Sequence, residues 1–259
     1  MWGCGNDEPH AEIREGAYRA YIEENAAELV RATQAMLPEL EHGEVGRAQS
    51  RFVRARVRYS QIEPAAETLP QLNASIDSRQ AGGSGSAPGF HGIEKPLFGA
   101  ETTRGTVVVA KQMIADGKVL RQRLAEQRFS AEELAAGSAR LLDDVATSKL
   151  AGREQLYAEA DLVDVSANLE AVGAAVTALE PALTGDEREE IKALLRQAYA
   201  EIGKFGTPAR DPDQPRDLSP GAIFVVFGEL SPEEVDELRQ PVEQLEGAFE
   251  QLQRRLDEN

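Results

Sequence analysis

In the stretch GFHGIEKPLF, His91 stands three residues before Glu94. On a helix, residues three apart share a face, so an imidazole nitrogen and a carboxylate would be presented together. That pairing suits zinc, iron, copper or manganese. Two donors do not complete a site, because zinc and iron centres usually take at least three protein ligands. The others must come from facing segments, as in the carboxylate-rich metal sites of helix bundles. An isolated pair of this kind also occurs as a satisfied surface contact, so the neighbourhood has to decide.

The segments available to position the pair are helical. Residues 10–42 carry Tyr18, Ile22, Ala26, Leu29, Val30, Thr33 and Leu37 at three- and four-residue steps, the pattern of an amphipathic helix. A second helix is predicted over 44–68, with Pro64 bending or ending it. Residues 69–89, built around QAGGSGSAPG, read as an exposed, flexible loop. Helical patterns resume over 104–127, from Ser130 to about Lys149, from Asp161, after Gly185, and from Ser231 to the end. Ser130 with Glu133 and Ser231 with Glu234 match the capping box. GAIFVVFGEL could pass for a strand, but no second run exists to pair with it, so it reads as buried helix or irregular core. The expectation is an all-α protein of antiparallel up-and-down helix bundles, with residues 10–259 as one helical domain behind a tether of residues 1–9.

The formal charge of −17 argues against nucleic acid and against an anionic membrane surface, both of which require a basic face. Cations are the natural partners of such a field. Cys4 is the one cysteine, so no internal disulfide forms. No apolar run reads as a membrane span. Gly3-Cys4 near the start resembles the tail of a bacterial lipobox, which makes Cys4 a candidate lipidation site and a lipid anchor the one expected route to a membrane. The alternative is a frayed terminus with a stray thiol.

Three ordered stretches carry a family resemblance. FHGIEKPLFG, ARVRYSQIEPAAE (residues 55–67) and LLDDVATSKLAGREQLYAEADLVDVSANLEAV (residues 141–172) are similar to motifs of the imelysin-like family. Its members include EfeO- and EfeM-type iron-uptake proteins and the imelysin peptidases. The resemblance implies an extracytoplasmic iron-binding protein of the periplasm or cell surface, acting with a membrane iron permease and a peroxidase-type partner. No β-rich stretch corresponds to a cupredoxin-like domain, so the shorter form is expected. Gly92 stands where the family usually has arginine, Phe98 replaces a tryptophan, and Glu159 stands where a second histidine is common. If that position touches the metal, an oxygen has replaced a nitrogen, which favours iron over copper.

The candidate metal ligands are therefore His91, Glu94, Glu63, Glu159 and Asp116, for iron or another transition ion such as zinc or copper. Each has a structural alternative. Glu63 could pair with Arg56 or Arg58, and Asp116 could face water. Asp161 is placed to N-cap its helix, and Asn168 to bond backbone or a neighbouring side chain. Arg56 and Lys95 could bind an anion or neutralise the acidic cluster. Two further functions stay open: a metallopeptidase, which here lacks a His-Glu-x-x-His helix, and a polysaccharide- or partner-binding module, disfavoured by an aromatic content of 5%.

Overall fold

The computed structural model describes residues 12–79, 87–206 and 223–258. Cys4 and the tether of residues 1–9, the glycine-serine run at 80–86 and the segment 207–222 lie outside the described residues. Among the described residues the chain is all-α, with ten α-helices and no strand.

The first helix, α1 (Glu15–His42), ends at Gly43, whose φ of 76° is the left-handed conformation glycine adopts without strain. The Glu44 N–H then reaches back to the Glu39 carbonyl, closing the helix and turning the chain into α2 (Val45–Ser60). That helix stops before Pro64, which sits instead in the first turn of α3 (Glu63–Ala66), where its missing N–H has no helical partner to lose.

Residues 70–77 depart from the expected loop. Pro70–Asp77 form α4, with Pro70 in its first turn and Ile76 fully buried. Leu72 and Ile76 stand one turn apart and give the segment an apolar face. A short helix α5 (Gly89–Glu94) follows and continues as a π-helical turn over Lys95–Gly99. Then come α6 (Thr106–Glu126), α7 (Ala131–Thr147), α8 (Asp161–Leu179), α9 (Gly185–Ile202) and α10 (Pro232–Asp257). The capping boxes at Ser130/Glu133 and Ser231/Glu234 are present, and Thr184 with Glu187 adds a third. Pro241 lies inside α10.

Packing forms two groups joined by one central helix. α1 lies against α2 and α6, α10 lies against α7 and α9, and α8 touches α1, α2, α7 and α9. Central position explains the composition of α8. Its run Asp161–Ala182 has a mean hydropathy of 1.4, long and apolar enough to cross a membrane, yet 78% of it is buried within the protein. A helix apolar on all sides is what the middle of a bundle requires. GAIFVVFGEL is irregular core where described: Ile223 and Phe224 are buried, Phe224 makes an isolated bridge to Gly206, and Phe227–Glu229 form a 3-10 turn.

Candidate metal centre

Glycine and aromatic residues set the place of α5. Gly89 has φ of 57°, and a Cβ there would lie 1.8 Å from the Ile76 carbonyl oxygen, so only glycine lets α5 approach the end of α4. A Cβ at Gly92 would lie 2.1 Å from the Ala87 carbonyl oxygen, which accounts for glycine at that position in this chain. Phe90 is buried and meets Phe52 and Tyr59 with ring centroids 5.5 and 5.6 Å away. Phe98 packs on Phe52 at 5.3 Å, and Leu97 is fully buried. These contacts turn the His91 side chain inward, leaving it 8% exposed.

The ring is held from one side and open on the other. His91 Nδ1 lies 3.3 Å from Glu94 Oε2. An ionised carboxylate only accepts, so Nδ1 supplies the hydrogen of this contact. Nε2 is buried and makes no hydrogen bond among the described residues. It faces Asp77 Oδ1 at 3.4 Å and Glu154 Oε1 at 3.5 Å. Both oxygens also accept from Arg56, and a proton shared with Nε2 or a metal ion would satisfy the remaining lone pairs in this buried space. Ligand atoms of Asp77, His91 and Glu154 all lie within 4.8 Å of one another, the spacing of a coordination sphere. One imidazole and two carboxylates fit a first-row transition ion.

Glu94 has a second attachment. Its Oε1 accepts the backbone N–H groups of Tyr157 at 2.8 Å and Ala158 at 3.1 Å. Burial raises the cost of its charge, but the hydrogen bonds from His91 and from those two N–H groups outweigh it and hold the carboxyl below its ordinary value. Asp77 goes the other way. Burial pushes it up, and the neighbouring charges of Arg56 and His91 offset only part of that.

Arg56 completes the cluster from α2. Its Nε donates to Asp164 Oδ2 at 2.7 Å, its Nη2 to Glu154 Oε1 at 2.7 Å, and its Nη1 to Asp77 Oδ1. The guanidinium also lies 5.1 Å from the Phe90 ring centre and 5.5 Å from that of Tyr59. Burial disfavours its charge, but Asp164, Asp77 and Glu63 reverse the balance, so Arg56 stays a cation. Neutralising the acidic cluster is thus the role it takes of the two read from the sequence. Arg79 pairs with the other oxygen of Glu154 from the partly exposed side.

The remaining sequence candidates sit apart from this group. Glu63 is buried, but its Oε2 accepts from Lys149 Nζ at 2.7 Å and from Asn168 Nδ2 at 2.8 Å. Its partner is therefore Lys149, neither Arg56 nor Arg58, because Lys149 is fully buried and needs a counter-charge. Asn168 also donates to the Ser60 carbonyl, fulfilling both expected kinds of bond. Asp116, on α6, accepts from Gln112 one turn earlier at 2.9 Å. Glu159 is exposed, with a left-handed φ of 49°. Asp161 does not cap α8, whose N-cap is Ala160; its carboxylate accepts the N–H groups of Glu154 and Gln155, both at 3.2 Å. Asp161 thereby fixes the backbone of the loop that carries Glu154.

The imelysin family model matches residues 16–240. The chain belongs to the imelysin family. Within that family it is similar to proteins described as iron uptake system component EfeO. The one from Escherichia coli (strain K12) is 36% identical over 196 residues, covering 74% of this chain and 51% of the relative. The EfeO proteins of Shigella flexneri and Shigella boydii give the same identity and coverage. This imelysin-family chain therefore spans about half the length of these relatives. All four groups of the cluster, Asp77, His91, Glu94 and Glu154, lie inside the matched residues.

Proposed function

We propose that this chain is a non-enzymatic component of an iron-uptake system that works outside the cytoplasm and carries iron at His91, Asp77 and Glu154. The observation behind it is the orientation of His91: a buried Nε2 with no hydrogen-bond partner among the described residues, aimed at two carboxylate oxygens. Glu94 sits behind the ring as the carboxylate that orients a metal-binding histidine and strengthens it as a donor. One nitrogen with several oxygens suits iron better than copper, with zinc the nearest competitor. The EfeO relatives, named as iron uptake components, support iron as cargo rather than as a resident cofactor.

Delivery to a membrane permease, a peroxidase-type partner, and attachment through a lipid on Cys4 in the periplasm or at the cell surface belong to the same reading. Peptidase chemistry would need a metal-bound water beside a free general base. Two neighbouring carboxylates hold other partners: Glu94 holds His91 and two backbone N–H groups, and Asp164 holds Arg56 and Gln155 through Oδ2. That favours carriage over hydrolysis.

The test is anaerobic calorimetric titration with ferrous iron, alongside metal analysis of protein purified without chelator. The parent should bind one ion tightly, and His91→Ala should lose that binding while its circular dichroism stays helical. Equal affinity in parent and His91→Ala ends this reading.

A further inference from the structure

The two oxygens that face His91 Nε2 are already in use. Asp77 Oδ1 accepts from Arg56 Nη1, and Glu154 Oε1 accepts from Arg56 Nη2. We propose that Arg56 is a built-in counter-cation that competes with the metal for Asp77 and Glu154, and so sets how readily the cargo is released. This rests on the reading of the cluster as a metal centre.

Three features support it. First, the position is dry. Arg56 is 1% exposed and Asp164 fully buried, so water does little to screen a metal ion from the guanidinium. A metal drawn to Asp77 and Glu154 meets a fixed positive charge on the same oxygens. Second, Arg56 has an anchor outside the contested pair. Its Nε bond goes to Asp164 Oδ2, which does not face His91 and is also held by Gln155 Nε2 at 2.8 Å. Its face lies along Phe90 and Tyr59, which attract the cation without requiring an N–H donor from it. The two Nη groups can therefore yield their acceptors while Nε keeps the side chain in place. Third, the geometry needs arginine. The planar fork of arginine donates from Nε, Nη1 and Nη2 to three separate carboxylates, a spread that the compact ammonium of a lysine does not match.

The consequence is a centre stable in both states. Without metal, Arg56 satisfies the carboxylates, so the cluster neither repels itself apart nor collapses. With metal, Asp77 and Glu154 turn to the ion and Arg56 falls back on Asp164. When the metal leaves, the waiting guanidinium takes up the vacated oxygens. Affinity is held below what the bare donor set would give, which suits a carrier that must give up its cargo.

The experiment compares the parent with Arg56→Met, which keeps an unbranched apolar stem but removes the guanidinium and its charge, in zinc and anaerobic ferrous iron titrations. Arg56→Met should bind both ions at least tenfold more tightly. Its metal-free form should melt lower than the parent, and metal should raise its melting temperature by more. Affinity that is unchanged or weaker overturns the proposal; if His91→Ala abolishes binding in the same assay, the metal centre itself still stands. If His91→Ala binds like the parent, the centre falls and Arg56 with it. Should Arg56→Met fail to fold, the parent labelled with nitrogen-15 arginine answers the question. On zinc addition the Nη signals of Arg56 should shift and exchange faster while its Nε–H signal persists. An Arg56 spectrum unaltered at saturating zinc overturns the proposal.

Discussion

The carboxylate of Glu94 accepts the backbone N–H of Tyr157 at 2.8 Å, across 63 positions of the chain. One oxygen of this side chain thus holds the loop that carries Glu154, while the other holds the ring of His91. Glu94 thereby ties His91 to the backbone of the loop in which Glu154 lies, although the two are distant in sequence. Glu94→Gln keeps the size but can present an amide donor to Nδ1, which favours the hydrogen on Nε2 and removes the lone pair that would bind a metal. Iron affinity should fall by about 10- to 100-fold, the usual effect of losing such a supporting carboxylate. The amides of Tyr157 and Ala158 should exchange with solvent faster. Unaltered affinity together with unaltered exchange at those amides would show that Glu94 supports neither donor.

The centre also separates carboxylates that look alike in the sequence. Asp77 and Glu154 face His91 Nε2, whereas Asp116 is bonded by Gln112 and Glu159 is exposed. Asp77→Asn and Glu154→Gln should each weaken iron binding by about 100-fold. Asp116→Asn and Glu159→Gln should leave it within about threefold of the parent. Calorimetric titration of the four variants makes the comparison. The reverse ranking would return the ligand role to the residues suggested by the sequence.

Helical periodicity made the all-α architecture legible, because long amphipathic stretches report their own buried faces. His91 and Glu94 were legible for a different reason: they are close in sequence and carry a family motif. Asp77 and Glu154 were not. Asp77 ends a helix of eight residues next to a glycine-rich run, so the low-complexity composition masked the Leu72 and Ile76 face that builds it. Glu154 lies between helices, where no periodicity points a side chain anywhere; its one signal was its place within the family-like stretch from 141 to 172. For Glu63 the sequence offered Arg56 or Arg58 as the ion-pair alternative, but the partner is Lys149, 86 positions away, which no local spacing reveals.

The Lys149 network makes no direct contact with the candidate metal centre among the described residues. Lys149 Nζ bonds both Glu63 Oε2 and Asn168 Oδ1 at 2.7 Å, and all three side chains are buried. Burial works against both charges, yet each holds the other: Lys149 keeps Glu63 below its ordinary value, and Glu63 keeps Lys149 above its own. Lys149→Met strands the Glu63 carboxylate in a dry interior and should cost about 3–5 kcal/mol. Adding Glu63→Gln removes the stranded charge and should recover more than half of the loss. Denaturant unfolding of the two single variants and the double variant measures the coupling. Purely additive losses would mean that the pair does not act as a unit.

Glu67, one turn beyond Glu63, gives the fold a pH dependence distinct from the metal centre. Burial, followed by the charge of Glu63, pushes its carboxyl from 4.5 up to about 7. Arg140, 3.7 Å away, offsets little of this. Between pH 4.5 and about 7 the folded state keeps the proton that the unfolded state has already lost. Stability therefore declines as pH rises through that window, and the full cost is present above it. Glu67→Gln cannot ionise, so it should match the parent near pH 5 and exceed it at pH 8. The side chain is 29% exposed, so water screens part of the repulsion. A gain of about 1 kcal/mol at pH 8 is expected. Denaturant melts of metal-free protein at both pH values provide the measurement. A gain of equal size at pH 5 and pH 8 would rule out ionisation of Glu67 as its source.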